Sequence, residues 1–199
     1  MRKIPLLLVM AAMLMSLPAC ILYDWPEGEI VMLAPFVNSS DITSINEAYS
    51  AHSNCPWGFE HRGIDFMIST DGVPFQAVCD GLVMQVEKKF NDGNGYWQVN
   101  IEIKYNKNFR VRYGFEPFSS AEADGNRQLD NIRIAKGDEV QAGETIGNLL
   151  YFRGGAHVDF SLERDGEVIC PEPYFTSSAR EAVLTILQAT IPGARMCYE

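Results

Sequence analysis

The sequence predicts a mainly β protein, a compact antiparallel sheet or sandwich with one helix near the C-terminus. Two observations support this prediction. From about Cys55 onward, short apolar stretches alternate with clusters of Gly, Asp and Asn, which is the pattern of strands and turns. A helical pattern occurs only near the end of the chain. The 199 residues, of which 47% are hydrophobic and 21% charged, fit one globular domain with short appendages.

The clearest strand runs from Tyr96 to Tyr105, where apolar and polar residues alternate. Such alternation indicates a strand with one buried face and one solvated face. Asn106-Lys107-Asn108 is typical of a turn, so Phe109 to Tyr113 is predicted as the second arm of a hairpin. Val73 to Glu87 predicts another hairpin, with its turn at Asp80-Gly81.

The later part of the chain continues this pattern and ends in the helix. Residues 119–130 are polar and predict an exposed excursion, while residues 156–163 alternate and predict a strand. Ser178 and Glu181 form a capping-box pattern before an apolar run. The predicted helix therefore begins there, and it stops near Pro192.

The first residues have the pattern of an export signal. Arg2 and Lys3 precede an apolar run from Ile4 to Met15, which is shorter than the roughly 20 residues of a membrane span. Leu17-Pro18-Ala19-Cys20 resembles the bacterial lipobox, in which the cysteine is acylated and becomes the mature N-terminus. Residues 1–19 are thus predicted as a lipoprotein signal peptide. The alternative is plain secretion with cleavage nearby.

The predicted organisation of the remaining chain follows from this signal. Acyl chains on Cys20 would anchor the protein to a membrane. By analogy with lipoprotein sorting, Ile21 rather than Asp after the cysteine favours the outer membrane, with the protein facing the periplasm. Residues 20–50 have no sustained period and are predicted as a tether. Residues 51–175 form the predicted domain, and residues 176–199 form the helix and tail.

The charge excludes one class of partner. Removing residues 1–19 takes away Arg2 and Lys3 and no acidic residue, so the formal net charge goes from −10 to −12. Binding to nucleic acid needs clustered Lys and Arg. We therefore expect no nucleic-acid partner.

Four cysteines remain after Cys20, and an even number in an exported protein favours disulfides. Three pairings are open. Proximity in sequence favours Cys55 with Cys79 and Cys170 with Cys197. The alternative is a thiolate zinc site, but the sequence lacks a close Cys-x-x-Cys pair.

Two short segments combine metal-ligating residue types at even spacing. His61 and Asp65 are four residues apart with Gly63 between them, and His157 and Asp159 are two apart. In extended backbone, even spacing places side chains on one face. Nitrogen and oxygen ligands with an open position suit zinc in a hydrolase. A surface hydrogen-bonded pair and a solvated strand face are the alternative interpretations.

The same segments carry a resemblance to a family. His61 to Phe66 is similar to the His-x-Gly-x-Asp block of the lysostaphin-like (LytM-type) zinc endopeptidases, which cleave peptide crosslinks in bacterial cell walls. The resemblance extends from about Pro56 to Phe175 and implies the LytM-type fold. It also includes the stretches 74–77, 80–81, 140–147 and 165–174.

The resemblance implies roles for five residues. His61 and Asp65 would be the first two ligands of one zinc ion. Asp159 would be the third ligand, where the family has histidine, and His157 would be the candidate catalytic base. Phe115 aligns with a histidine that assists catalysis in the family, and it has no titratable group. Losing such a group typically costs about two to four powers of ten in rate.

These departures predict a degenerate, non-catalytic domain. We expect a lipid-anchored envelope protein that binds peptidoglycan peptides or regulates a cell-wall hydrolase, by analogy with family members that lack catalytic histidines. The alternative is a divergent zinc metalloendopeptidase that cleaves peptidoglycan crosslinks. A third hypothesis is a structural lipoprotein whose cleft has no ligand.

Overall fold

The computed structural model describes residues 23–152 and 154–199, so the predicted signal peptide and Cys20 lie outside the described residues. No helix in these ranges is long and apolar enough to span a membrane. The strands are β1 (Ser44–Ile45), β2 (Tyr49–Ser50), β3 (Ile64–Ile68), β4 (Val73–Gln76), β5 (Gly81–Asn91), β6 (Tyr96–Lys104), β7 (Phe109–Pro117), β8 (Glu139–Val140), β9 (Thr145–Leu149), β10 (Ala156–Arg164), β11 (Glu167–Ile169) and β12 (Cys197–Tyr198). The α-helices are α1 (Glu122–Asp130) and α2 (Ser177–Thr190), and 3-10 turns span Ser39–Asp41 and Glu172–Tyr174.

One antiparallel sheet contains most of the strands. Its order is β1-β3-β10-β7-β6-β5-β8, and β11 pairs with the end of β10. Two small sheets flank it, β4 with β9 and β2 with β12. The mainly β antiparallel fold is confirmed, and so is the β6–β7 hairpin at residues 106–108.

The core lies against one face of this sheet. On β10, Val158, Phe160 and Leu162 are fully buried and alternate with the polar residues of the strand. On β7, Tyr113 is buried, and its hydroxyl donates to Gln76 O and accepts from the Val78 amide. Burying one such apolar side chain stabilises the fold by about 1.5–3 kcal/mol. The opposite, polar face of the same strands is left for a site.

The N-terminal segment belongs to the folded domain, which corrects the tether prediction for residues 30–50. Ile30, Met32 and Phe36 are buried in the main core, as are Ile42 and Ile45. The apolar residues of this segment follow neither a helical nor a strand period, because they pack as an irregular strap. Hydrophobic periodicity therefore predicts no helix or strand in this segment.

Two local predictions in the middle of the chain need correction. The excursion between β7 and β8 is largely exposed, as predicted, but residues 122–130 form helix α1 within it, and Gly125 lets this helix pack on Trp97. A Cβ at Gly125 would lie 2.7 Å from Trp97 Cβ. The predicted Val73–Glu87 hairpin is also absent, since β4 pairs with β9 and β5 pairs with β6 and β8.

The C-terminal helix is confirmed, with a different cap. Helix α2 begins at Ser177, and the side chain of Thr176 accepts a hydrogen bond from the Ala179 amide at 3.2 Å. The N-cap is thus Thr176 rather than Ser178. The helix ends at Thr190, shortly before Pro192.

Only one of the two predicted disulfides is present among the described residues. Cys170 and Cys197 are bonded, with 5.8 Å between their Cα atoms. The Cys55–Cys79 pairing is wrong, because Cys79 is a buried free thiol while Cys55 lies near the surface and donates to Phe59 O. Burial and the charge of Asp80 raise the pKa of Cys79 to about 12.

The Cys170–Cys197 bond ties the C-terminal strand β12 to the main sheet, so its removal should be costly. Closing a loop of this length stabilises a protein by about 3 kcal/mol. We expect Cys170→Ser to lower the free energy of unfolding in urea by about this amount. Cys55→Ser is the matched control and should leave that free energy unchanged. Equal stability of both variants would contradict a stabilising role for the bond.

Candidate functional site

The antiparallel pairing of β3 with β10 brings the two predicted segments together. Asp65 lies directly opposite Asp159 in the register of these strands. Asp65 Oδ1 is 3.4 Å from His61 Nε2 and 3.8 Å from His157 Nε2. The four candidate site residues therefore form one cluster, although they are about a hundred residues apart in sequence.

Gly63 makes room for this cluster. A Cβ at position 63 would overlap Asp159 Oδ1, and it would lie 3.0 Å from Asp159 Cγ and 3.1 Å from Phe160 O. Any other residue at position 63 would push the Asp159 carboxylate away from His61 and Asp65. The glycine between the two ligand-type residues is thus a steric requirement of the site.

The His61 imidazole is held in a fixed orientation. Its Nδ1 lies 3.2 Å from Ala48 O, and because a carbonyl can only accept, Nδ1 is the protonated nitrogen in this bond. The His61 backbone also exchanges two hydrogen bonds with Ser50. Its Nε2 therefore points at Asp65, 3.4 Å from Oδ1, and a histidine that ligates a metal through one ring nitrogen commonly bonds a carbonyl through the other.

Three polar atoms in the cluster are buried without a hydrogen-bond partner. They are Asp65 Oδ1, Asp159 Oδ1 and His157 Nδ1. Leaving a buried polar atom unpaired costs about 1–3 kcal/mol, and more when it is charged. A cation between the carboxylates would remove this cost for Asp65 and Asp159. The nitrogen donor of His61 and the oxygen donor of Asp65 are of the kinds that a divalent metal ion takes.

The carboxyl groups of the cluster are protonated more easily than usual. Burial raises the pKa of Asp65 well above its ordinary value, the Asp159 charge adds to this, and His61 opposes it. Burial also raises the pKa of Asp159. For Glu116, burial and the charge of Asp159 raise the pKa to about 7, against the hydrogen bond from Asn94. Crowded, buried carboxylates of this kind are typical of a site that takes a cation.

The two imidazoles respond in opposite directions. Burial lowers the pKa of His61, but the Asp65 carboxylate, 3.4 Å away, and the charge of Asp159 outweigh it and raise the pKa to about 9. Burial lowers the pKa of His157 to about 4, and the nearby His61 contributes to this. His157 is therefore neutral at pH 7, as a proton acceptor must be.

Phe115 does not face the site, which corrects its assignment to a catalytic position. Its side chain is fully buried in the core and packs edge-on against Phe75. Glu116, one residue later, faces the cluster and lies directly opposite His157 on β10. Its Oε2 is 3.6 Å from His157 Nε2. Glu116 was not found from the sequence because the motif match selected position 115. In strand β7 that side chain points into the core, and the next side chain points to the cluster.

Glu47 is a second site residue that the sequence did not reveal. It precedes β2 in the segment predicted as a tether. Its carboxylate, His61 and Asp65 each offer a ligand atom, and these atoms all lie within 4.8 Å of one another. Sequence spacing alone could not identify Glu47, since no pattern links it to the His61 motif.

A polar groove of about 460 Å³ runs from the cluster across the exposed face of the main sheet. Side-chain amides form a chain along it, from Asn91 to Gln98 at 3.0 Å and from Gln98 to Asn100 at 2.7 Å. Arg112 bonds to Glu102 on its floor. The groove therefore offers both hydrogen-bond donors and acceptors. It is lined by residues that include His61, Arg62, Gln85, Lys89, Gln98, Asn100, Arg112, Glu116, Asp159 and Ser161.

The fold has counterparts among solved structures. No family model matches the sequence, and no curated protein is significantly similar to it. A zinc-containing peptidase from Vibrio cholerae is 21% identical, with a TM-score of 0.50 over 71% of this chain and 39% of its own. Helicobacter pylori Csd3 is 19% identical, with a TM-score of 0.52 over 81% of this chain and 41% of its own. The chain spans about two fifths of these two proteins.

The chain has the LytM-type fold. The antiparallel sheet agrees with the fold expected from the sequence motifs. At this level of identity the likeness concerns the fold alone. Activity and ligands must be argued from the cluster and the groove.

Steric pressure between Gly63 and Asp159 gives a test of the site geometry. Gly63→Ala should lower the free energy of unfolding by about 1–3 kcal/mol, because the new Cβ overlaps the Asp159 carboxylate. Asp159→Ala removes the overlapping atoms, so the same substitution should cost less than half as much in that background. Urea unfolding of the four proteins of this double-mutant cycle measures the coupling. Additive effects would contradict the described contact.

Proposed function

We propose that this chain is a non-catalytic peptide-binding domain with the LytM-type fold, anchored to the bacterial envelope through a lipid on Cys20. Its ligands would be peptidoglycan peptides or a peptide segment of a cell-wall hydrolase that it regulates. The observation that carries the proposal is the polar groove of amides and charges that leads into the acidic cluster at Asp65 and Asp159.

The chemistry of the groove suits such a ligand. Peptides present amide groups along their backbone, and the Gln98 and Asn100 side chains offer amides that can pair with them. Lys89 supplies positive charge for a peptide carboxylate, whereas Arg112 is already paired with Glu102 and Glu163. The acidic cluster at the end of the groove attracts amino groups or a cation. The amide, basic and acidic groups that such binding requires are therefore all present in the groove and the cluster.

Catalysis is disfavoured by the composition of the cluster. The chain has three histidines, and only His61 and His157 lie at the site, since His52 bonds to the C-terminal Glu199 O. A zinc ion held by His61, Asp65 and a further carboxylate would supply Lewis acidity for peptide hydrolysis. Two carboxylate ligands neutralise much of its charge, so its bound water would ionise less readily than in a histidine-rich site.

A divergent zinc metalloendopeptidase is the second candidate, and one observation favours it. Glu116 Oε2 lies 3.6 Å from His157 Nε2. His157 therefore has a titratable partner, which the sequence did not indicate. The pKa of Glu116, raised to about 7 by burial and the charge of Asp159, suits proton exchange near neutral pH. This candidate predicts cleavage that depends on both Glu116 and a metal.

Peptidoglycan sacculi distinguish the two candidates. We expect the purified protein to co-sediment with sacculi without releasing soluble fragments. Asn100→Ala should weaken this binding about five-fold, because one hydrogen-bonding group worth about 1 kcal/mol is lost. Gln141→Ala, whose side chain is exposed outside the groove, is the matched control. Release of fragments that a chelator stops and zinc restores would overturn the non-catalytic proposal and support the peptidase.

The lipid anchor is tested separately. Cys20→Ser removes the thiol that the lipobox would acylate, and an unacylated chain has no comparable membrane affinity. We expect the full-length protein to need detergent for extraction from the membrane fraction, and the variant to appear in the soluble periplasmic fraction. Identical fractionation of the two proteins would exclude anchoring through Cys20.

A further inference from the structure

The acidic cluster has a donor that lies outside the His61 and His157 segments. Glu47 reaches it from the N-terminal segment, and its ligand atom, that of His61 and that of Asp65 all lie within 4.8 Å of one another. We propose that Glu47 is a ligand of a divalent cation at this site, together with His61 and Asp65. The ligand set of this chain would then differ from the one that its sequence motif implies.

The distances support a shared ion. Protein oxygen and nitrogen ligands lie about 2.0–2.6 Å from divalent ions. Two atoms bound to one ion can therefore be no more than about 4–5 Å apart. The three donor atoms all lie within 4.8 Å of one another, so small rotations of their side chains would bring all of them into contact with a single ion.

The backbone holds Glu47 in place beside the other two donors. The Asp65 amide donates to Glu47 O at 3.0 Å, and His61 Nδ1 bonds to Ala48 O at 3.2 Å. Two further hydrogen bonds join Ser50 to His61. Glu47 is thus fixed against the His61 motif by four hydrogen bonds, rather than carried on a loose surface segment.

The buried carboxylate of Asp65 gives independent support. Asp65 is 5% exposed, and its Oδ1 has no hydrogen-bond partner. In the part of the chain that the structure describes, no Lys or Arg nitrogen lies within 4.0 Å of the carboxylates of Glu47, Asp65 or Asp159, and the nearby basic groups are the imidazoles of His61 and His157, 3.4 and 3.8 Å from Asp65 Oδ1. The charge of one imidazolium does not balance three carboxylates, and a bound cation would supply the remaining positive charge.

Asp159 occupies a different place from the third ligand that the motif implies. It is outside the group of three donors, and its Oδ1 lies over Gly63. A site of one imidazole with Glu47 and Asp65 is rich in oxygen, and oxygen ligands suit manganese as well as zinc. The proposed set therefore predicts that Mn²⁺ and Zn²⁺ both bind.

Isothermal titration of the chelator-stripped full-length protein with ZnCl₂ and with MnCl₂ tests the proposal. Glu47→Gln keeps the size of the side chain and removes its charge, so it should weaken the binding of both ions at least tenfold. Asp159→Asn should change the affinity by less than threefold. Glu60→Gln is the matched control, because Glu60 is exposed and pairs with Arg62, and it should bind like the wild type.

Glu47→His covers the case in which Glu47→Gln does not fold. It returns a ligand at position 47 and makes the set richer in nitrogen. Zinc affinity should stay within fivefold of the wild type, while manganese affinity should fall at least tenfold. Unchanged affinity for both ions in Glu47→Gln would overturn the proposal. So would loss of binding in Asp159→Asn alone, or a wild-type protein that binds neither ion.

This inference goes beyond the proposed function and can fail separately from it. The titrations use ions alone, whereas peptide binding is read from sacculi. A protein that binds sacculi but no ion would overturn the role of Glu47 and leave the peptide-binding proposal intact. A protein that binds ions through Glu47 but does not bind sacculi would overturn the peptide-binding proposal and leave the role of Glu47 intact.

Discussion

The site depends on one unfavourable juxtaposition, the direct pairing of Asp65 with Asp159 across two buried strands. Like charges directly opposite each other destabilise a sheet. Here the register cannot slip to separate them, because a shift by one residue would turn Val158 and Phe160 out of the core. The apolar face of β10 thus holds the carboxylates together, and the cluster must be neutralised by protons, by the neighbouring imidazoles or by a cation.

The rest of the site is arranged around that pair. Gly63 leaves the space into which the Asp159 carboxylate turns. The N-terminal segment supplies Ala48 O, which orients His61. This segment is itself held by strand pairing, since β1 pairs with β3 and β2 pairs with β12. The Cys170–Cys197 bond fixes β12, so a covalent link at the C-terminus supports the wall of the cluster that carries Glu47.

Sequence patterns predicted the parts of this structure that have a strict period. Alternation identified β6, β7 and β10, because each has one buried and one polar face. It also placed His157 and Asp159 on the same face. The strap formed by residues 30–50 was missed since irregular packing leaves no period in the sequence. Glu47 was missed with it.

The error at Phe115 has a different physical origin. A motif match compares letters, whereas a strand assigns its side chains to faces by their parity. In β7 the core takes Tyr113 and Phe115, so Gly114 and Glu116 must face the cluster. The aromatic residue that indicated a lost catalytic group is therefore a core residue. An acid occupies the position facing His157.

These two missed residues bear on catalysis in opposite ways. Glu116 adds a group that can exchange a proton with His157, which restores part of what the sequence indicated as lost. Glu47 acts against catalysis through its charge. Together with Asp65 it would give a bound ion two carboxylate ligands, which neutralise much of the ion's charge and make a bound water harder to ionise. Three protein ligands leave one coordination position open, so a peptide held in the groove beside the ion would be able to reach it.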